Sequence, residues 1–257
     1  MVIMVAYNGR YSGSESKNKL DAVKYTGDDV LMQVESNLSN NFVGSAIIEN
    51  LIIDGRDADS DTSVGILLEN VCNCLIRNLT IMNCNVGIKV KIANGGNWAH
   101  GNRFEHIRMK NVKTGILFEG TSNTDKYFSG TTIDDVRISL DALDSVGIMV
   151  GGGNGFADLH GAFIKTTVWM CKDSQKGLVV NGSLRYSLVN LEVEQVIESV
   201  PSGYGVVVNS GATVKDNQSF LLSAMWLNPN NGVDRRLSVE SGATCGAGEI
   251  TVYSRDR

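Results

Sequence analysis

Proline is nearly missing from the chain, with 2 in 257 residues. Because proline has no N–H to donate to a sheet ladder, its scarcity is what a stack of central strands requires. Long apolar runs are missing as well: no stretch approaches the roughly 18 apolar residues of a membrane-spanning helix, so we expect no membrane span. Helical periodicity is also missing between the short apolar segments, which argues against a helical fold.

Basic residues are fewer than acidic ones, with 23 Lys and Arg against 28 Asp and Glu, for a net charge of −5 at pH 7. An acidic chain has no electrostatic footprint for a phosphate backbone, so we expect no nucleic-acid partner. The cysteines are odd in number and form no Cys-x-x-Cys pair, so a finger-like zinc site is not visible. We expect them to be reduced, small apolar side chains stacked in the core: Cys72, Cys74, Cys84, Cys171 and Cys245.

A metal site is not indicated elsewhere. Alternating aspartates at 57, 59 and 61 resemble the start of a calcium loop. The rest of that pattern is missing, because Thr62 stands where glycine is needed and Leu68 where an acid is needed. We therefore predict no metal and no cofactor.

Glycine, in contrast, is abundant and marks a repeat, with 28 residues. A series of glycines, each followed by Ile, Leu or Val, recurs at spacings of about 22 to 32 residues by subtraction of their positions. A period of this size indicates a solenoid, a propeller or an array. The series is Gly65, Gly87, Gly115, Gly147, Gly177, Gly205 and Gly232.

An apolar-x-x-apolar-x-apolar pattern precedes each glycine and predicts a short strand. Two or three short strands per period favour a parallel β-helix, whereas a propeller blade needs four strands in a longer, more uniform period. The clear copies are Ile48/Leu51/Ile53, Ile76/Leu79/Ile81, Phe104/Ile107/Met109, Ile133/Val136/Ile138 and Leu188/Leu191/Val193, and the weaker ones are Thr166/Trp169/Cys171 and Leu221/Ala224/Trp226.

We predict one all-β domain organised in three parts. Residues 1–29 form an N-terminal arm or cap, and residues 30–233 form a parallel β-helix of roughly seven to ten coils. Residues 234–257 supply C-terminal capping strands, with a terminal hairpin made by 237–239 and 249–253. Some cap is needed at each end because an open β-helix end exposes a strand edge.

One polar position recurs just before the middle apolar residue of the pattern. Asn50, Asn78 and Asn190 occupy it, and His106 and Asp135 stand there in the other two clear copies. Asparagine at such a bend bonds backbone groups, which is a structural role. We therefore interpret His106 and Asp135 as corner residues rather than catalysts.

Three long connections leave the repeat at the same phase, at 94–102, 120–130 and 151–161. In a solenoid, insertions at one phase emerge on one face, which is often the binding face. Aromatic rings beside carboxylates and amides suit a glycan, because sugar faces stack on rings and hydroxyls bond to polar groups. The alternatives are that the rings anchor the loops or face a neighbouring subunit. The residues expected to cluster are Trp98, His100, Asp125, Tyr127, Phe128, Phe156, Asp158 and His160.

The alternation in 48–55 and 76–88 resembles that of the pectate-lyase-like superfamily of right-handed parallel β-helices, and the resemblance extends from about Val30 to about Val233. The superfamily includes pectate lyases, polygalacturonase-like hydrolases, and phage tailspikes and other virion β-helices, the last usually trimeric. The resemblance implies a right-handed β-helix, nearest in character to the virion proteins. It is specific for the fold and not for the function.

Part of the polygalacturonase-like motif set is present in order, as 123–125 (Asn-Thr-Asp), 134–135 (Asp-Asp) and 160–161 (His-Gly). The first two groups are too close to lie on successive coils, and no Arg-Ile-Lys follows. A glycosidase needs two carboxyls roughly 5–10 Å apart. Asp125 and Asp158 are the best pair, with Asp134 as substitute.

We expect a structural β-helix protein of the spike, fibre or decoration type, located in a virion or outside the cell. The expected assembly is a homotrimer that contacts other virion proteins and binds a polysaccharide or cell-surface glycan. We expect no enzymatic activity; the alternative is a polysaccharide-degrading glycoside hydrolase or lyase.

Overall fold

The computed structural model describes residues 21–26, 30–35, 46–56, 61–93, 98–120, 126–152, 156–195, 203–225 and 235–255. This part of the chain consists of strands joined by turns, so the predicted all-β class is confirmed. Within these ranges no helix has the length and apolarity needed to cross a membrane.

The strands are short except where one strand runs through a corner into the next sheet. In chain order they are β1 (Asp21–Thr26), β2 (Val30–Glu35), β3 (Ile47–Asp54), β4 (Val64–Glu69), β5 (Leu75–Ile92), β6 (Trp98–His100), β7 (Arg103–Gly120), β8 (Tyr127–Ser129), β9 (Thr132–Leu140), β10 (Val146–Val150), β11 (Asp158–His160), β12 (Phe163–Met170), β13 (Lys176–Val180), β14 (Ser183–Arg185), β15 (Leu188–Gln195), β16 (Tyr204–Val208), β17 (Thr213–Lys215), β18 (Ser219–Met225), β19 (Leu237–Val239), β20 (Thr244–Cys245) and β21 (Thr251–Arg255).

These strands form three parallel faces around one core. The first face contains β3, the first halves of β5 and β7, then β9, β12, β15, β18 and β21. The second face contains β2, β4, the second halves of β5 and β7, then β10, β13, β16 and β19. The third face contains β6, β8, β11, β14, β17 and β20.

The result is a parallel β-solenoid of about 6 turns, fewer than the seven to ten expected. Six strands form the third face, whereas the first face has eight, because β3 and β5 have no described third-face strand before them. Strand β1 pairs antiparallel with β2 at the N-terminal end.

The core consists of like residues stacked from coil to coil. On the second face Ile66, Ile88, Ile116 and Ile148 follow one another in register, and each is at most 1% exposed. Full burial of such a side chain contributes about 1.5–3 kcal/mol. The in-register stack therefore contributes to the stability of the rod in every coil that it crosses.

From β4 to β16, a glycine stands near the start of the second-face strand in each coil, because the chain turns there against its neighbours. A Cβ at Gly147 would lie 2.5 Å from the carbonyl oxygen of Gly177 and 2.6 Å from Val168 Cγ2. The same crowding occurs at Gly115, where a Cβ would lie 2.5 Å from the carbonyl oxygen of Gly147. The crowding explains why glycine marks the repeat in the sequence.

We expect Gly147→Ala to lower the free energy of unfolding by about 2 kcal/mol, because it overpacks a site with backbone on one side and a core valine on the other. Urea unfolding followed by circular dichroism measures the change. Gly246→Ala is the matched control, since its nearest neighbour is the flexible Glu249 Cγ at 3.3 Å, and it should change stability by less than about 0.5 kcal/mol. Equal losses in both variants would contradict the packing argument.

A column of left-handed residues interrupts the first four strands of the first face. Asn50, Asn78, His106 and Asp135 have φ of 60, 55, 53 and 48°. Their side chains bond along the column: Asn78 Nδ2 donates to Asn50 Oδ1 at 3.4 Å, and His106 Nδ1 lies 3.2 Å from Asp135 Oδ2. The bonds of Asn78 and His106 therefore go to side chains rather than to the backbone groups expected. The predicted bend at these four residues is confirmed. It is wrong for Asn190, which pairs regularly with Lys165 and Leu221.

The column ends at β12, because β12 has one residue fewer than β9 at this place. Lys165 pairs with Asp134 but Thr166 pairs with Val136, so Asp135 has no counterpart in the next coil. The inward residues of the later strands therefore alternate strictly, so the three-residue spacing that opens each predicted pattern is wrong there. Trp169, Leu188 and Leu221 point outward instead of into the core, and the inward residues of the last three long strands are Ile164, Thr166, Val168, Met170, Val189, Leu191, Val193, Phe220, Leu222 and Ala224.

The predicted C-terminal hairpin is wrong. Strand β19 pairs in parallel with β16, and β21 pairs in parallel with β18, so the two strands extend different faces of the solenoid. Gly232, predicted to open the last repeat, lies outside the described residues, and Arg236 precedes the strand residue that pairs with Val206.

All five cysteines are free, as expected, and three are buried. Burial raises the pKa of Cys74 and Cys84 to about 11, so neither forms an appreciable thiolate near neutral pH.

We expect iodoacetamide at pH 8 to leave Cys74 and Cys84 unmodified in the folded chain, because both thiols are protonated and enclosed. Peptide mass spectrometry before and after addition of denaturant measures this. Cys245, which is only half-buried, serves as the internal control and should react first. Modification of Cys74 without denaturant would show that the coil opens readily.

Candidate functional site

The outer surface of the third face carries two columns of side chains, because alternate strand residues point out of the sheet. The middle residues, such as Phe128 and Leu159, point into the core. The first column is Trp98, Tyr127, Asp158, Ser183 and Thr213, and the second is His100, Ser129, His160, Arg185 and Lys215.

Contacts join side chains of the two columns, both within one coil and between neighbouring coils. The rings of Trp98 and His100 lie 6.4 Å apart, and His100 Nδ1 is 2.8 Å from Ser129 Oγ. The ring of Tyr127 meets that of His160 edge-on at 5.8 Å. The surface is therefore a ladder of aromatic and hydrogen-bonding groups with one rung per coil.

Asp158 is the centre of this ladder. It is 2% exposed and accepts hydrogen bonds from Arg185, by Nε at 3.2 Å and by Nη2. His160 Nδ1 lies 3.7 Å from Asp158 Oδ1 and is buried without a hydrogen-bond partner among the described residues. The hydrogen bond to Asp158 raises the pKa of Arg185 despite the opposing effect of burial. Asp158 thus holds Arg185 as a fixed cation on the face.

Tyr186 is the one large residue at a turn position that otherwise takes small or flexible residues. After the third-face strands, Gly101, Gly130 and Gly161 have φ of +67, +60 and +60°, and Asp216 has φ of 57°. Tyr186 occupies the same position with φ of 52°, which is strained for a bulky side chain. Its ring is 51% exposed, with the Arg185 guanidinium carbon 5.7 Å from the ring centroid.

The predicted site residues are only partly brought together. Trp98, His100, Tyr127 and His160 share the outer third face with Asp158. Phe128 is instead fully buried, where its ring packs edge-on against Phe118 at 5.4 Å. The reason is that Phe128 is the middle residue of its strand, so alternation turns it inward.

The remaining predicted residues lie elsewhere. Asp125 is outside the described residues, as are Asp57 and Asp59 of the calcium-like loop. Phe156 is half-buried just before β11. Asp134 is on the first face, where its carboxylate lies 3.8 Å from Lys165 Nζ.

Sequence reasoning missed Arg185 and Tyr186. The signal was available: aligning the repeats by their third-face strands places Tyr186 at the position of Gly101, Gly130 and Gly161. A tyrosine there departs from the repeat, as is expected at functional or strained sites.

A second polar cluster lies on the first face around Asp135. Its carboxylate is 3.2 Å from Arg137 Nε, 3.2 Å from His106 Nδ1 and 3.8 Å from Arg108 Nη1. Partial burial opposes its ionisation, but the hydrogen bonds from His106 and Arg137 and the nearby arginine charges outweigh burial and lower the pKa of Asp135. A groove of about 280 Å³ opens beside it, where the left-handed column ends.

The ranges that the structure describes contain no group of three His, Cys, Asp or Glu side chains placed to hold a metal ion. No protein-family model, curated protein or solved structure matches the chain.

We expect Tyr186→Asn to raise the free energy of unfolding by about 0.5 kcal/mol. Asparagine tolerates the left-handed conformation, which relieves about 1 kcal/mol of strain, and loss of the Arg185 contact offsets about half of it. Thermal and urea unfolding measure the change. Tyr253→Asn is the control, because Tyr253 is 56% exposed in an ordinary strand, and there the substitution should destabilise. A loss above about 1 kcal/mol at Tyr186 would show that its ring is structural.

Proposed function

We propose that the chain is a structural β-helix protein, of the virion-associated or extracellular kind, whose third face binds a glycan. The parallel β-solenoid supplies a rigid rod. The observation that carries glycan binding is the exposed, strained Tyr186 ring beside Arg185 and the Asp158 cluster.

The chemistry of the third face supports this proposal. Glycan sites combine aromatic rings, which stack on apolar sugar faces, with charged and amide groups that bond hydroxyls. Tyr186 and Tyr127 offer exposed rings, and His100 and Lys215 offer polar groups on the adjoining coils. Because one rung follows another at about 4.8 Å, the face suits an extended ligand that runs along the rod.

Rigidity of the third face also supports binding. Arg185 is held by Asp158 and cannot swing freely, so little side-chain entropy is lost when a ligand contacts it. Backbone strain at Tyr186 also supports binding. A conformation that costs stability is retained where the side chain has a function, and we infer that this function is contact with the ligand.

The hydrolase alternative is less well supported. The Asp158 carboxylate accepts hydrogen bonds from Arg185, and Asp134 lies on another face beside Lys165. These two described candidates do not form a pair across one cleft. Asp125, the third, lies outside the described residues, so the hydrolase stays a prediction.

Binding to a panel of neutral and acidic oligosaccharides tests the proposal. We expect at least one to bind, and Tyr186→Asn to weaken that binding at least about tenfold, through the loss of one stacking ring. Tyr253→Asn, which removes an exposed ring from the first face, should leave it unchanged. Release of new reducing ends from the bound oligosaccharide would favour the hydrolase, and no binding by any member of the panel would contradict the proposal.

A further inference from the structure

Two neighbouring columns on the outer surface of the first face carry large apolar residues at mirrored places and opposite charges at mirrored places. The face has eight strands, and its midpoint lies between β9 and β12. The central column runs Ile52, Thr80, Arg108, Arg137, Thr167, Glu192, Ser223 and Tyr253. The corner-side column, two residues further along each strand, runs Met82, Lys110, Ser139, Trp169, Glu194 and Met225 from β5 to β18.

Charge changes sign about the midpoint. Arg108 and Lys110 lie on β7, two strands to one side, and Glu192 and Glu194 lie on β15, two strands to the other. In a third column, next to the midpoint, the signs are reversed: Asp134 on β9 stands in register with Lys165 on β12.

Apolar residues are symmetric about the same midpoint. Ile52 is 62% exposed on β3 and Tyr253 is 56% exposed on β21, at opposite ends of the central column. Met82 and Met225 occupy mirrored places in the corner-side column.

The charged side chains on β7 and β15 lack full partners within the described part of one chain. Arg108 shares the single carboxylate of Asp135 with Arg137 and lies 3.8 Å from it, while Lys110 is exposed with no ion pair to any described residue. Glu192 and Glu194 accept only from the neutral donors Thr167 Oγ1 and Trp169 Nε1. The cations on β7 and the carboxylates on β15 therefore remain available to a complementary surface.

We propose that two copies of this chain pair through their first faces, antiparallel, about a two-fold axis along the strand direction at the midpoint. A two-fold axis makes each contact occur twice. Arg108 and Lys110 of one copy then meet Glu192 and Glu194 of the other, Asp134 meets Lys165, and Ile52 meets Tyr253.

The size of the face fits this partner. Eight strands spaced about 4.8 Å apart, each about 24 Å long, cover on the order of 800 Å², which is the area that one partner buries in an interface of standard size. Opposite charges across the contact determine which end meets which. The pairing leaves the third face uncovered and does not depend on what that face binds.

Charge exchange between two variants provides the test. The acidic variant carries Arg108→Glu and Lys110→Glu, and the basic variant carries Glu192→Lys and Glu194→Lys. In antiparallel pairing, each variant alone sets like charges against each other, whereas a mixed pair sets opposite charges at both ends. Sedimentation velocity measures the masses, and circular dichroism verifies that each variant is folded.

We expect the unmodified chain to sediment at about twice 27.7 kDa, each variant alone to associate at least about tenfold more weakly, and their equimolar mixture to recover the dimer. Lys172→Glu with Lys215→Glu, which makes the same charge change away from the first face, should remain dimeric. A monomer at up to about 100 µM, a trimer, a mixture of folded variants that stays monomeric, or dissociation of the control variant would each overturn the proposal.

Discussion

The parallel hydrogen-bond ladder between successive coils is the constraint on which the structure depends. It places equivalent residues about 4.8 Å apart from coil to coil, on the inside and the outside alike. Inside, the ladder selects stacks of like apolar residues such as Ile66, Ile88 and Ile116. Outside, it turns each repeat position into a column, so any chemistry on the surface is linear and runs along the rod.

The same ladder explains how much of the fold could be predicted. Glycine before an apolar residue recurs because the backbone of the next coil leaves no room for a Cβ, and that rule is visible in the sequence at Gly115 and Gly147. The sequence does not show that β12 has no residue corresponding to Asp135. A strand with the extra residue and a strand without it both contain apolar residues at short spacing, so the pattern could be matched in the wrong register at Trp169 and Leu188.

The candidate site was predictable in position but not in composition. Long connections at one phase indicated the third face, and Trp98, Tyr127 and His160 are there. Sequence alone could not show that the Asp158 carboxylate is hydrogen-bonded to Arg185, because the two residues lie on different strands and are 27 residues apart. Nor could it show that Phe128 faces inward, since that depends on where a strand of three residues begins.

Left-handed residues show how this fold tolerates local strain. Asn50 and Asn78 adopt the conformation at little cost, and their side chains bond to each other along the column. His106 and Asp135 extend the column with a charged pair, and Arg108 and Arg137 gather around it because one carboxylate must offset both guanidinium groups. Since that carboxylate is shared, Arg108 and Arg137 together keep a net positive charge beside it although the chain as a whole is acidic. The left-handed conformation thus brings charged side chains together around Asp135 on the first face, while on the third face it occurs at Tyr186, whose ring is half exposed.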